Sequence, residues 1–378
     1  MEITRRGVVL GLGVLGLSGC AGGTVPAQTA PSGGLPPDLR PAPNAAYDGW
    51  VAAFRARAAR QGITEATLDR GFRGAGFLPG VVTRDRNQPE TRRTLEDYLS
   101  IAVSEERVAK GRAALARHRN TLKAIEARYG VPPNIVTAIW GLESFYGERR
   151  GDVPVISATS TLAFDGRRGA FFEQQLVAAL RILQNGDISA ERLTGSWAGA
   201  MGHTQFIPTS YEAFAVDFTG DGRRDIWSDD PTDALASAAA YLSRNGWTQG
   251  RSWGREGTTG GTVIQPQPGG PRFAVTSNFR VIKRYNNSDS YAIGVGHLAD
   301  RIAGGAPLRG SFPPDEFGLT KDARIALQRR LTARGFDTGG ADGVIGRNTR
   351  AAISAYQTSI GLDPTGDPSP ALLQSLGG

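Results

Sequence analysis

Glu143 is the residue whose neighbours best equip it for acid–base chemistry. It is the only acid in the stretch from Val131 to Gly147, V-P-P-N-I-V-T-A-I-W-G-L-E-S-F-Y-G. Ile139 and Trp140 stand one helical turn earlier and strip water from its carboxyl. Lost hydration disfavours the ionised form and raises the pKa, which is what a general acid working near neutral pH requires. A rim carboxylate paired with Arg149 or Arg150 is the other reading, and these residues alone leave both open.

Further groups suit binding. Gly195 to Tyr211 reads G-S-W-A-G-A-M-G-H-T-Q-F-I-P-T-S-Y. Its small residues let a backbone approach a ligand, Ser196 and Gln205 offer neutral hydrogen bonds, and the aromatic residues offer stacking faces. Carbohydrate recognition needs this combination. His203 is the only histidine near these motifs, which argues against multi-histidine metal or triad chemistry, and it is expected to be solvated or capping. Arg284 to Tyr291, R-Y-N-N-S-D-S-Y, brings two tyrosines and an asparagine to a helix entry, for sugar stacking or for a cap. Arg167 and Arg168 precede the aromatic start of a helix, where forked donors can hold carboxylates or sugar oxygens; taken without context, a solvated loop is the better reading. Asp217 to Ser228, D-F-T-G-D-G-R-R-D-I-W-S, has oxygen ligands at positions 1, 3, 5 and 9 of an EF-hand-like calcium loop, with Gly222 at position 6 and the Arg223 carbonyl at position 7. Ser228 replaces the bidentate Glu at position 12, so a last ligand must come from Asp229, Asp230 or Asp233. A metal-free turn is the alternative. With no second such loop, any ion is a structural pin rather than a switch.

Mostly helical elements must position these groups. Pro132 and Pro133 suit a first helical turn, Gly147 a stop, and Ile135, Ile139, Leu142 and Tyr146 form one apolar stripe. Upstream, Trp50, Phe54, Ala58 and Ile63 begin an amphipathic segment and Thr64 to Thr67 starts another. Asp85 to Glu90 breaks the pattern, and Leu95, Tyr98, Leu99 and Val103 resume it towards Tyr129. Downstream, Gly151 to Ser160 reads as a loop with short extended pieces, and Phe171 to Leu183 as a helix. Asp233 to Arg244, carrying Tyr241, reads as an alanine-rich helix, Phe273 to Lys283 as a short strand pair, and Ala292 to Ile302 as a helix. Ala303 to Pro314 reads as a linker. Beyond it a small unit draws its core from Leu319, Ile325, Leu327, Leu331, Phe336, Ile353, Tyr356 and Leu362; so small a unit suits binding better than catalysis.

The 378 residues are enough for two domains, and 40% hydrophobic content is ordinary for a globular chain. The 51 Gly and 22 Pro suggest long ordered loops and a linker. A net charge of +7, almost all from Arg, attracts anionic polymers: nucleic acid, membrane headgroups or an acidic wall glycan. No Lys/Arg run is interleaved with aromatics, which disfavours nucleic acid. The single cysteine, Cys20, excludes a disulfide framework and a cysteine-rich zinc site. Arg5-Arg6 and the apolar run Val8 to Leu17 form a secretory signal too short to span a membrane. Its L-S-G-C end resembles a lipoprotein signal that lipidates Cys20, and Thr4 to Leu10 resembles a twin-arginine signal. Ala21 to Pro43 suits a flexible tether.

Together G-L-E-S-F-Y-G, P-V-I-S-A-T-S-T-L-A-F-D, S-W-A-G-A-M-G-H-T-Q-F-I-P-T-S-Y, the loop at Asp217 and Y-N-N-S-D-S-Y-A resemble the membrane-bound lytic murein transglycosylase B family, from about Trp50 to Ile302. The tail, with L-Q-R-R-L, D-G-V-I-G-R-N-T, A-Y-Q and G-L-D, resembles the small helical peptidoglycan-binding domain, with Tyr356 where Phe is usual. The resemblance implies a mainly α, lysozyme-like catalytic domain with small β elements and a C-terminal three-helix domain. The implied division is a signal at 1–19, a tether at 20–45, a catalytic domain at 46–304, a linker at 305–316 and a peptidoglycan-binding domain at 317–378. It implies non-hydrolytic cleavage of the bond between N-acetylmuramic acid and N-acetylglucosamine, giving 1,6-anhydro ends, with Glu143 as acid and then base. Ser196, Gln205, Tyr241, Tyr285, Asn286 and Tyr291 are then expected to line the cleft. Arg167 and Arg168 are expected to hold peptide or lactyl carboxylates. Asp217, Thr219, Asp221, the Arg223 carbonyl and Asp233 are expected to hold a structural calcium, with no cofactor required. The implied partners are peptidoglycan strands and, through Cys20, a membrane, with the chain held in the periplasm at the outer membrane. A hydrolysing muramidase and a catalytically silent wall-binding lipoprotein are the rival functions.

Overall fold

The chain folds around a helix that is buried on nearly every side. The computed structural model describes residues 34–87 and 94–377; the expected signal, Cys20 and most of the tether lie outside the described residues. A short 3-10 turn (Pro37–Leu39) leads into α1 (Ala45–Ala59), α2 (Glu65–Phe72), α3 (Pro79–Arg86), α4 (Leu95–Ala102), α5 (Glu105–Arg117), α6 (Arg119–Tyr129) and α7 (Pro133–Ser144). Next come β1 (Val153–Pro154), α8 (Val155–Asp165), α9 (Gly169–Gln184), β2 (Thr194–Gly195), α10 (Pro208–Phe214) and α11 (Thr232–Arg244). They are followed by β3 (Gly254–Glu256), β4 (Thr262–Ile264), β5 (Phe273–Val275), α12 (Ser277–Tyr285) and α13 (Asp289–Ile302), and last α14 (Lys321–Ala333), α15 (Arg347–Ser359) and α16 (Pro370–Ser375). No helix among the described residues is long and apolar enough to cross a membrane.

Many helix starts are set by local chemistry. Asn44, Thr64, Thr94, Ser104, Thr276 and Ser288 each accept a backbone N–H of the following first turn through the side chain. Helix α7 has no such cap; Pro133 at its first position supplies the preset φ instead. From Ile135 to Leu142 every residue of α7 is buried, and α5, α6, α11 and α13 pack around it. The expected single apolar stripe is therefore an all-round apolar surface, the pattern of a core helix. Beyond its first turn, only Glu143 keeps contact with solvent.

Three expectations need correction. Helix α7 ends at Ser144, before Gly147, because Phe145 and Tyr146 adopt left-handed φ values of 53° and 61°. Gly151 to Ser160 is mostly helix: α8 begins at Val155 although Val155, Ile156, Thr159 and Thr161 are β-branched, and full burial from Val155 to Ala163 overrides their weak propensity. Phe273 to Lys283 holds one strand followed by α12; β5 is the centre of an antiparallel sheet of order β3-β5-β4. The two-residue strands β1 and β2 pair antiparallel, Val153 opposite Gly195. They bring the segment after α7 beside the Ser196 loop.

Residues 319–376 enclose their own apolar cluster, including Leu327, Leu331, Ile353, Tyr356 and Leu372. Leu362, expected in this core, is 54% exposed.

Candidate active site

Tyr291 gives Glu143 its orientation. Its hydroxyl donates to Glu143 Oε1 at 2.6 Å from the first turn of α13. Burial, with the nearby Glu143 charge, holds the Tyr291 pKa well above the usual tyrosine value, so the phenol stays a donor. Behind it the Tyr285 ring stacks at 6.4 Å, and Tyr241 meets Tyr285 edge-on at 4.9 Å. Tyr285 donates to the Thr204 carbonyl and Tyr241 to the Arg284 carbonyl. Tyr285 is fully buried and Tyr241 nearly so. These two expected cleft residues therefore stand behind Tyr291 as its support. Asn286, half-buried, closes α12 beside them.

The turn after Glu143 is held from several sides. Left-handed backbone at a bulky residue costs about 1–2 kcal/mol, so packing must enforce it at Phe145 and Tyr146. The Tyr146 hydroxyl donates to the Arg107 carbonyl at 2.7 Å, and its ring folds under Gly141, where a Cβ would come within 2.6 Å of ring carbon. Arg107, Lys110 and Arg149 lie 4.4–4.9 Å from the Phe145 ring centroid. Ser144 Oγ donates to the His203 carbonyl at 2.6 Å. Gly147 has φ 90°, and a Cβ there would lie 2.5 Å from the His203 ring.

His203 is neither solvated nor a cap. It is buried, accepts from Trp140 Nε1 on Nδ1 at 3.1 Å, and donates from Nε2 to the Ser228 carbonyl at 2.7 Å. Burial lowers its pKa, so the ring is neutral, with its proton on Nε2. Arg150 donates to the Trp227 and Ser228 carbonyls and to Asp229, which ties it to the acidic loop.

Ser196 Oγ accepts the amides of Ala198 and Ala200 and shapes its own turn. Gln205, at φ 50°, donates to the carbonyls of Arg150 and Gly202. Both residues brace the loop opposite α7. Arg167 and Arg168, expected to face substrate carboxylates, instead both bind Asp85 at 2.5 and 2.6 Å. A buried carboxylate has claimed their forks. Burial pushes the Asp85 carboxyl up, but the two guanidiniums more than offset this and hold it below the usual aspartate range.

In the acidic loop, carboxylate oxygens of Asp217, Asp221 and Asp233 lie within 4.8 Å of one another. Asp233 is buried and accepts the amides of Phe218, Thr219 and Asp225; burial raises its pKa. Asp217 accepts from Gly220, Gly222 and the Thr219 hydroxyl. Asp225, at position 9 of the motif, turns away and accepts the amides of Trp227 and Ser228. Asp233, which lies beyond Ser228 in the sequence, thus joins the group. Three carboxylates this close, one of them buried, repel one another and suit a divalent cation.

The family described as Transglycosylase SLT domain matches residues 46–265 and 257–300. The chain belongs to the SLT transglycosylase family. A second match, to the putative peptidoglycan binding domain, covers residues 320–376. The membrane-bound lytic murein transglycosylase B of Escherichia coli K12 is 36% identical over 154 residues, 40% of this chain and 42% of that protein. The match therefore spans less than half of that relative. SltB3 of Pseudomonas aeruginosa, solved with NAG-anhNAM-pentapeptide, is 43% identical, with a TM-score of 0.70 over 88% of this chain and all of that one. The E. coli lytic transglycosylase Slt35, solved with calcium, is 27% identical, with a TM-score of 0.57 over 69% of this chain and 93% of that one. This SLT transglycosylase is mainly α and lysozyme-like, as expected.

The residues that sequence reasoning missed are mostly supports: Asp85, the Trp140–His203 bridge and the Phe145–Tyr146 turn. Only the adjacent Arg167-Arg168 pair hinted at one of them, by implying a buried acid elsewhere in the chain.

Proposed function

We propose that this SLT transglycosylase is a lytic murein transglycosylase that cleaves the β-1,4 bond from N-acetylmuramic acid to N-acetylglucosamine without water. The Glu143–Tyr291 pair carries the reading: one acid, held by a neutral donor, at the solvent-reaching position of a buried helix. Protonated Glu143 gives its proton to the glycosidic oxygen as the C1–O bond breaks. The resulting carboxylate takes the proton of the muramoyl 6-hydroxyl as O6 bonds to C1. Glu143 ends protonated and the product carries a 1,6-anhydro ring. The relative SltB3 was solved with an anhydro-muramoyl ligand, which fits this route. Most glycosidases use two carboxylates. The Ser196–Tyr211 block contains no Asp or Glu to activate water. Asn286 and the Ser196–Gln205 loop line the cleft, with Tyr241 and Tyr285 behind Tyr291.

A calcium ion would be held by Asp217, Asp221 and Asp233, with the Thr219 hydroxyl and the Arg223 carbonyl. When bound, it would neutralise the carboxylates and pin the loop. Ser228 and His203 connect that loop to Trp140 on α7, so the pin steadies the back of the catalytic helix. The 320–376 unit binds peptidoglycan. Cys20 is lipidated after export and anchors the chain in the envelope, at the outer membrane.

Digestion of purified sacculi with the wild type and Glu143→Gln, read by mass spectrometry, tests the reading. Anhydro-muramoyl ends from the wild type alone are expected. Reducing ends would identify a hydrolase, and cleavage by Glu143→Gln would remove Glu143 from its role.

A further inference from the structure

A second buried charge cluster joins the two units of the chain, between α4 and α14. The Arg324 side chain, on α14, is only 3% exposed. Its Nη2 donates to Glu96 Oε2 at 2.6 Å and to Asp97 Oδ1 at 3.2 Å, both on α4. Nη1 donates to Asp315 Oδ2 at 3.2 Å and to the Leu319 carbonyl at 3.1 Å, and Nε to the Gly343 carbonyl at 2.6 Å. One planar fork thus organises the C-terminal unit and grips the catalytic unit. Paired charges in fixed fork geometry add orientation as well as energy.

The expected linker is strapped down beside this fork. Both carboxylate oxygens of Glu256 accept amides from it, Arg309 at 2.8 Å and Gly310 at 2.6 Å. Gly270 lies under Phe312, where a Cβ would come 3.0 Å from the ring. Gln267 Oε1 accepts the Glu96 amide at 3.0 Å. On its other side α4 abuts the helix that steers the acid. Tyr98 lies against Gly294 of α13, a Cβ there falling 2.8 Å from its ring, one turn after Tyr291.

We propose that the Arg324–Glu96–Asp97 clamp holds the wall-binding unit in one orientation on the catalytic unit, making these three positioning residues for cleavage of polymeric peptidoglycan. The inference rests on the transglycosylase reading. A strand gripped by a fixed C-terminal unit is presented to the cleft at high effective concentration, and that gain is lost when the two sites can no longer engage together. A soluble fragment too short to reach both units gains nothing from the clamp.

The test leaves Arg324 and its bonds inside the C-terminal unit intact and changes only the catalytic side, by Glu96→Gln with Asp97→Asn. Spin labels on Lys123→Cys and Ala371→Cys, in the full chain carrying Cys20→Ser, report the spacing of the units. The otherwise unchanged chain should give one narrow distance and the clamp variant a broad distribution. Release from sacculi should fall about tenfold, through KM, while turnover of a short soluble muropeptide stays unchanged. A broad distribution without the clamp substitutions, an unchanged rate on sacculi, or an equal loss on both substrates would overturn the clamp. Absence of anhydro products from the wild type would instead overturn the function on which it rests, whatever the distances show.

Discussion

Asp85 and Glu143 are both helix-borne acids held by hydrogen bonds, and their partners set them apart. Asp85 is buried and gripped by two guanidiniums. Glu143 is half-buried and takes a 2.6 Å hydrogen bond from a phenol. A cationic pair fixes a carboxylate in its charged form and consumes its acceptor sites. A neutral phenol orients the carboxyl without adding a charge of its own. Aromatic residues support the working acid, and arginines lock the structural one.

The sharpest way to break this contrast is to neutralise each acid in turn. Glu143→Gln should lower turnover by about 10³-fold or more, the scale of general acid–base catalysis, with an unchanged urea midpoint. Asp85→Asn should do the reverse. Breaking a buried pair costs about 3–5 kcal/mol, and the low end, about 3, is expected because the Arg167 side chain is 48% exposed. Denaturant unfolding reads that loss, while turnover per folded molecule should persist. The pH dependence has a definite sign. The folded Asp85 pKa lies below its unfolded value, so its contribution is complete above the usual aspartate pKa. It is lost as pH falls through that value to the folded one; a urea midpoint equally acid-sensitive in Asp85→Asn would contradict this.

The acidic loop offers a third kind of carboxylate, one that needs an ion. Calcium at about 30 times its Kd should add about 2 kcal/mol, seen as a higher Tm that chelation reverses and Asp233→Asn abolishes. The smallest effect is expected at the steering phenol. Tyr291→Phe should cost about tenfold in kcat, matching a hydrogen bond to a charged group worth about 1.5 kcal/mol, with little change in KM. A kcat unchanged in Tyr291→Phe would mean that Glu143 does not depend on this donor.

Much of the site was legible because its chemistry is local in the chain. Glu143 follows Ile139 and Trp140 at helical spacing, and the acidic loop is a contiguous run. What failed to show was long-range. Asp85 and the arginines are more than 80 residues apart, Glu96 and Arg324 are 228 apart, and no local pattern marks either pairing. Tyr285 read as a sugar platform and Tyr241 as a cleft residue because exposure is a tertiary property; the aromatic stack that buries them has no sequence period. Helix α8 was hidden for a related reason. Its β-branched residues argue for extended backbone, and only burial against α9 reverses that.

The left-handed turn at Phe145 and Tyr146 has a consequence for how the cleft can work. Because a folded-under ring and three cations lock it, Glu143 stands at a helix end that cannot unwind or lengthen by a residue without undoing that packing. The conformational cost of placing the acid is met once, when the chain folds, and not at each encounter with a glycan. Adaptation to altered walls should therefore proceed through the loops facing this helix, while insertions between Glu143 and Gly147 remain intolerable.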